Sequence, residues 1–442
     1  MPSGIATDDT TKLFFQDIID NKCLVSLYDF RNKGFFLGVA SAQGVRFCLL
    51  TIAGDGCGDD QPRFLSRGEV IEEMFDPART FSVTADDIAL LNPNTRTCPV
   101  FRTARDAEVT KDIYRRIPVM LKEGPPAVNP WGLSFQRMFD MANDSGLFRM
   151  ASDLAADGWS LDGNVFRKDS AAYLPLYEAK MLHHYDHRWA TYTGTDSRDV
   201  TRGENSDPHF MTQPRYWVSA GVVLDRVRNR LDRDWLIAWR DITSNLDFRT
   251  TISGILPRVG VGHTSPIMLP KGETAEIVCL YSSICSFAFD YVSRQKIGGT
   301  HLTYGLMNQL PVLPPTEYST SCPWEPDQTL AEWIKPRVLE LTYTAWDLKP
   351  FAEDCGYTEN PFVWDDDRRF QLRCELDAAF FHLYGISEAD AEYIMETFPI
   401  VKAKDMEAHG TYRTKDTILA IYREMATGRF SSPLTPPPGV RS

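Results

Sequence analysis

The sequence has no C-x-x-C pair, no run near the roughly 18 uninterrupted apolar residues of a membrane helix, and no excess of positive charge. Each absence excludes a class. The nine cysteines, at 23, 48, 57, 98, 279, 285, 322, 355 and 374, are odd in number and scattered. That pattern argues against a zinc ribbon or a disulfide framework and for reduced thiols in a cytoplasmic protein. The opening Met1-Pro-Ser-Gly-Ile-Ala-Thr-Asp-Asp9 has neither the basic nor the apolar region of a signal peptide. The 47 Lys and Arg against 60 Asp and Glu leave a net charge of −13, which excludes a uniformly basic shell for nucleic acid but not a local basic groove. What is present is a chain of 442 residues, 43% hydrophobic and 12% aromatic, enough for about three domains with real cores.

Charge is unevenly placed. Residues 317–442 hold 13 Lys and Arg against 22 Asp and Glu, whereas 215–258 hold eight arginines against five acids. The middle of the chain is therefore where a polyanion is expected to dock, and the C-terminal part is expected to repel one. Residues 7–19 read as a helix with Leu13, Phe14, Ile18 and Ile19 at helical spacing, and 24–30 and 46–52 read as strands. With no strand before them, these elements look like a domain entered part-way. Residues 53–68 read as a loop and 104–114 as a helix. Strands are expected at 216–220, 277–281 and 287–291, a Pro-punctuated linker at 310–315, and helices at 370–383 and from Ser387 onward. The Pro-rich tail, 431–442, reads as frayed. The domain expectation is 1–80, a connector 81–165, a mixed domain 166–315 and an acidic helical region 316–442.

Several motifs suggest chemistry, each with a plainer reading. Gly54-Asp-Gly-Cys-Gly58 follows a strand as a phosphate loop would, but Asp55, Asp59 and Asp60 repel phosphate and Gln61-Pro62 starts no helix; a surface loop is expected. His183 and His187 at i, i+4 would share a helix face and suit zinc. No third ligand is obvious, so contacts to backbone, phosphate or buried partners are favoured and no metal is expected. Glu178-Ala-Lys180, with an upstream acid such as Asp162 or Asp169, is half of the constellation of metal-dependent nucleases, though the triplet is common by chance. There is no G-x-S-x-G. Nor is there a Phe-x-Gly-x-Gly for an adenosyl cofactor, or an Asn-Pro-Pro-aromatic. Arg240-Asp-Ile-Thr243, Phe248-Arg-Thr-Thr-Ile252, Arg258, and Lys296 and His301 around Gly298-Gly299 place donors beside hydroxyls and glycines, good chemistry for phosphates and guanine edges. On composition alone they are a solvated face.

Taken in order, several segments resemble one family. They are 2–16, Leu24-Val-Ser-Leu-Tyr-Asp-Phe30, Asn92-Pro-Asn-Thr-Arg-Thr-Cys-Pro-Val-Phe-Arg102, Pro175-Leu-Tyr-Glu-Ala-Lys-Met181 and Tyr185-Asp-His-Arg188, then Arg240-Asp-Ile242, Gly298-Gly-Thr-His301, Gln309-Leu-Pro-Val-Leu-Pro314 and 373–399. The likeness is to the part after the catalytic motif in large adenine-specific DNA methyltransferases of bacterial restriction–modification and phage-defence systems, the type IIG or DISARM-like enzymes with a TaqI-like specificity region. The resemblance implies an α/β plus α+β chain: the tail of a Rossmann-like methyltransferase core, a mixed α+β target-recognition domain, and a mostly helical C-terminal region. It implies transfer of a methyl group from S-adenosylmethionine to adenine N6 by the complete enzyme. Double-stranded DNA and a separate N-terminal methyltransferase half, or other restriction–modification subunits, are the implied partners, with no membrane. Because the cofactor and Asn-Pro-Pro-aromatic motifs are missing, the chain alone is expected to bind no S-adenosylmethionine and to transfer no methyl group. No catalytic residue is expected within it. The DNA contacts expected are Lys180, His187, Arg188, Arg240, Arg249, Arg258, Lys296 and His301. The competing expectations are a metal-dependent nuclease on Glu178 and Lys180, or a non-catalytic subunit that binds a partner protein through 316–442.

Overall fold

The structure is a computed structural model that describes all residues except 8, 37–44, 55–60, 245 and 433–442. Most of the Gly54–Gly58 motif and of the Pro-rich tail therefore lies outside the described residues. The fold is mixed α/β, with more helix than strand. The described strands divide among five small sheets, none with more than five strands.

Contacts divide the chain into two compact units. The first comprises Met1–Asn129, Tyr291–Val312 and Tyr384–Ile386. Its sheet runs in the order Arg46–Ile52, Leu24–Arg31, Arg63–Gly68, Phe81–Ser82. The first two strands form an antiparallel pair, with Leu27 opposite Leu50. Leu24–Arg31 then pairs in parallel with Arg63–Gly68, so the end of the expected loop 53–68 is a strand. Helices Lys12–Asp20, Ala85–Leu91 and Ala104–Arg116 belong to this unit. Thr84 and Thr103 cap the last two, each accepting from the third residue of its helix while that residue's carboxylate accepts in return. Phe15, Ile18, Leu24, Leu27, Phe30, Phe64, Ile88, Phe101 and Ile113 are buried, but Leu13 and Phe14 of the expected apolar face are exposed.

The second unit comprises Pro130–Asp290, Leu313–Leu383 and Ser387–Ser442. One sheet orders Trp217–Ser219, Ala171–Tyr177, Val165–Lys168 and Ser160–Asp162, with Gly260–Val261 joined in parallel to Ala171–Tyr177. Another orders Ser253–Pro257, Trp235–Trp239, Ile267–Leu269 and Ser134–Gln136, all antiparallel. Leu176, Tyr177, Val218, Leu236, Leu256, Val261 and Ile267 share one buried core. Helices Thr274–Cys285, Leu330–Thr342, Asp366–Leu383, Pro399–His409 and Arg413–Ala426 complete the unit.

Two expected strands are helices. Residues 277–281 lie in Thr274–Cys285 and 287–291 in Phe287–Lys296. Ile277 through Ile284 are essentially inaccessible, and a helix buried all round presents the same unbroken apolar run as a buried strand. Within the expected linker 310–315, Leu310, Val312 and Leu313 are buried, and a boundary between the two units falls at Val312–Leu313. No single helix among the described residues is long and apolar enough to cross a membrane; the pair 274–285 and 287–296, bent by 59°, has the composition but is buried core. The described cysteines are all free and buried.

Candidate nucleic-acid interface

The backbone at 183–186 is a tight turn, not a helix. His183 N–H donates to Asp186 O at 2.7 Å and Asp186 N–H returns to His183 O at 3.0 Å. Tyr185 sits at the corner with φ 58°, and its N–H donates to the Tyr281 hydroxyl at 2.8 Å. The i, i+4 alignment of His183 and His187 on a helix face is therefore not formed. The turn instead leaves His183 half-buried and buries His184, Asp186, His187 and Arg188. Among the described residues no group of three His, Cys, Asp or Glu is placed to hold a metal.

His183 and His184 line an open cleft of about 610 Å³ together with Arg240, Arg249, Arg369, Arg373 and Lys404. Asp186, Asp247 and Asp366 are the acids in its wall. Helix Asp366–Leu383 supplies Arg369 and Arg373, four residues apart and hence on one face. Helix Pro399–His409 supplies Lys404, and the chain leaving strand Trp235–Trp239 supplies Arg240 and, after a loop, Arg249. The acidic region 316–442, expected to repel a polyanion, thus contributes three of the cleft's cations, because net charge over a segment says nothing about which side chains share a face.

These cations are held differently. Arg249 is buried, donating to Asp290 at 2.5 Å and to Cys285 O at 2.8 Å, with its guanidinium 4.0 Å from the Phe287 ring centre. Asp290 also accepts from the N–H groups of Thr250 and Thr251, so this pair fixes the loop. Arg240 donates twice to Leu182 O, at 3.0 and 2.6 Å, and burial lowers its pKa to about 10. Arg369 donates to Leu341 O and Tyr185 O and stacks 3.6 Å from the Trp364 ring centre; burial lowers it to about 10 as well. Arg373 and Lys404 are exposed. The Arg373 Nε donates to Arg369 O and the Lys404 ammonium lies over Phe248, and neither has a carboxylate partner among the described residues. They are the cations with charge to offer.

Burial first, and then Arg240, Arg249, Arg373 and Lys404, hold the His183 imidazole well below its ordinary pKa. Burial and Arg249 do the same for His184. Both rings are neutral at neutral pH. His183 stacks on the exposed Trp189 at 4.3 Å.

The other expected contacts are placed elsewhere. Arg188 is fully buried, its terminal nitrogens donating to the carbonyls of Asn205, Asp207, Phe210 and Thr344; as placed, it has no surface to offer a phosphate. His187 is buried and paired with Asp347 at 2.8 Å. Lys296, in the first unit, is buried and donates to Leu91 O and Asn92 Oδ1, and burial pushes its pKa well below that of a free lysine. In the same unit the Gln309 carboxamide oxygen accepts from the N–H groups of Asn94 and Thr95. Lys296 and Gln309 thus tie residues 91–95 into one hydrogen-bonded scaffold. Arg258 pairs with Asp234 at 2.6 Å. His301 is exposed in the first unit. Lys180 is exposed, donating to Ser197 and lying over the Tyr192 ring. Asp162, offered as its upstream acid, pairs with Arg167.

No protein-family model matches this sequence, and no curated protein matches it.

Proposed function

We propose that the chain is the DNA-recognising portion of an S-adenosylmethionine-dependent adenine-N6 DNA methyltransferase, with the cleft around Arg373 and Lys404 holding the DNA backbone. On this reading the first unit is the end of a Rossmann-like core, the second carries target recognition, and double-stranded DNA and a separate methyltransferase half are the partners. The observation that carries the reading is the convergence of Arg240, Arg249, Arg369, Arg373 and Lys404 on one cleft in a protein of net charge −13. Charge gathered against the overall balance is the mark of a polyanion site. The order of the family-like segments supplies the reaction class.

The division of labour follows from the chemistry. A base stacked in a duplex has to be extruded before its amine can react, at a cost of a few kcal/mol. Phosphate contacts distributed over a recognition domain offset that cost, and groove contacts choose the sequence. Arg373 and Lys404 serve the first purpose as exposed charges. Arg240 and Arg369, tethered to carbonyls, hold their positions without rearrangement when DNA arrives. Trp189, Ile242 and Leu246 are exposed apolar groups at or near the same rim. S-adenosylmethionine carries a sulfonium and an ammonium cation, and the cleft's acids, Asp186, Asp247 and Asp366, are already engaged by Arg188 N–H, Ser244 N–H and the Arg202 guanidinium, beside five cationic side chains. The residues of the cleft therefore do not fit the cofactor, and no methyl-transfer step is derived through it.

The test is the affinity for duplex DNA as a function of salt, read by fluorescence anisotropy. Wild type should show a steep dependence, and Arg373→Ala and Lys404→Ala should each lower the slope by about 0.9 per phosphate contact removed. Slopes unchanged in both variants would overturn the assignment.

A further inference from the structure

Behind the open cleft lies a second, smaller chamber of about 300 Å³, at the lower end of the range of about 300–1,000 Å³ for small-ligand sites. His183, His184, Phe248, Arg249, Arg373 and Lys404 line both spaces, so one opens on the other past these residues. The chamber's remaining walls are largely apolar, including Phe287, Phe370, Leu376 and Val401. Its other polar groups are Tyr185, Ser286, Asp377, Asp405, His409 and Thr414, and the Asp405 carboxylate accepts from Thr414 N–H at 2.6 Å. Asp377 accepts from Phe287 N–H at 2.7 Å through one carboxylate oxygen. Ser286 gives its hydroxyl to Ser283 O.

His184 is the anomaly. It is 6% exposed, it lines the chamber, and neither of its ring nitrogens has a hydrogen-bond partner. A buried polar group left without a partner is costly, and a ligand that completes it removes that cost. A neutral imidazole offers one donor and one acceptor. An apolar wall, a buried donor–acceptor ring without partners and two exposed cations without carboxylate partners together describe one ligand class.

We propose that this chamber binds a nucleotide, with its base against the apolar wall of Phe287, Phe370, Leu376 and Val401 and against His184, and its phosphate at Arg373 and Lys404. The base meets apolar side chains, Phe287 and Phe370 among them, against which its ring packs. One nitrogen of His184 meets a donor or acceptor position on the base edge. Two sources supply this chemistry: a free nucleoside monophosphate, or a nucleotide turned out of a DNA duplex. The second rests on the DNA reading above; the first does not.

The experiment has two arms on the full chain. In the first, AMP, GMP, CMP, UMP and dTMP are titrated singly without DNA, and binding is read by isothermal calorimetry. In the second, duplexes carrying a single 2-aminopurine are titrated with protein, with anisotropy reporting duplex binding and 2-aminopurine emission reporting unstacking. The inference expects saturable nucleotide binding, a rise in emission, or both. It also expects His184→Leu to weaken that response at least tenfold, and Arg373→Ala, at an exposed position where folding is not at stake, to weaken it as well. Duplex binding with neither nucleotide binding nor a rise in emission would overturn this inference while leaving the DNA reading standing. Nucleotide binding without duplex binding would support the inference and overturn the DNA reading. Responses unchanged in Arg373→Ala would overturn the inference even if His184→Leu failed to fold.

Discussion

Arg188 separates a residue that binds DNA from one that holds the protein together, and replacing it with methionine makes the difference measurable. Methionine keeps much of the side-chain volume and removes every donor. The guanidinium now satisfies carbonyls of Asn205 and Asp207, at 2.8 Å each, and of Phe210 and Thr344, at 3.1 and 3.2 Å. The first lies in the short helix Arg202–Ser206 and the second just past its end, so the cation also meets the negative pole of that helix. At about 1 kcal/mol or more for each acceptor left dry, the loss comes to about 4 kcal/mol, less the relief of no longer burying a charge. Burial already lowers the arginine's pKa, so that relief is real, and a net destabilisation of about 3 kcal/mol is expected. Against a typical total of about 5–15 kcal/mol this is large. Urea unfolding followed by tryptophan emission should show a lower midpoint with an unchanged slope, and Arg188→Lys should recover only part of it, since three donors on one nitrogen cannot span the same fork of acceptors. A variant as stable as wild type that had lost DNA affinity would refute the structural role and return Arg188 to the interface.

Three further outcomes follow from the same geometry. Asp290→Asn breaks the buried pair with Arg249 and should destabilise by about 3–5 kcal/mol, again read by urea unfolding; a loss below 1 kcal/mol would contradict it. Burial raises the Asp377 carboxyl to about 6 from an ordinary 3.8, so the folded protein keeps a proton that the unfolded chain has released between those values. Stability should therefore fall as pH rises from about 4 to 6, by about 3 kcal/mol at most for this group. Asp377→Asn should flatten that part of the pH–stability curve, and curves that stay parallel would sink the argument. Lys180→Ala should leave DNA integrity unchanged in the presence of magnesium; divalent-ion-dependent cleavage lost in this variant would instead establish the nuclease.

The helices Ala104–Arg116 and Glu388–Glu396 follow from local signals, a capping side chain and a periodic apolar face, and those signals are written in consecutive residues. The helix Thr274–Cys285 does not, because total burial erases the periodicity that distinguishes a helix from a strand. At the cleft, Arg240 and Arg249 stand out in a locally basic stretch. Arg369, Arg373 and Lys404 do not, being diluted among the acids of 316–442. The spacing of Arg369 and Arg373 across Phe370 was the available signal, one helix face with two cations. Arg188 and Lys296 mislead for the opposite reason: fully buried cations are rare, and only the backbone carbonyls around them, brought together by folding, show why they are there. His183 and His187 mislead through spacing alone, since Tyr185 at positive φ turns the chain where a helix would have continued.

On the proposed reading, this chain selects a DNA sequence. Selection of duplexes from a random library by the purified protein, followed by sequencing, tests it most directly. The account predicts enrichment of a defined motif containing adenine, bound more weakly as salt rises and lost when Arg373 and Lys404 are both replaced by alanine. A library that emerges without any preferred motif, or binding that persists at high salt in the double variant, would contradict it.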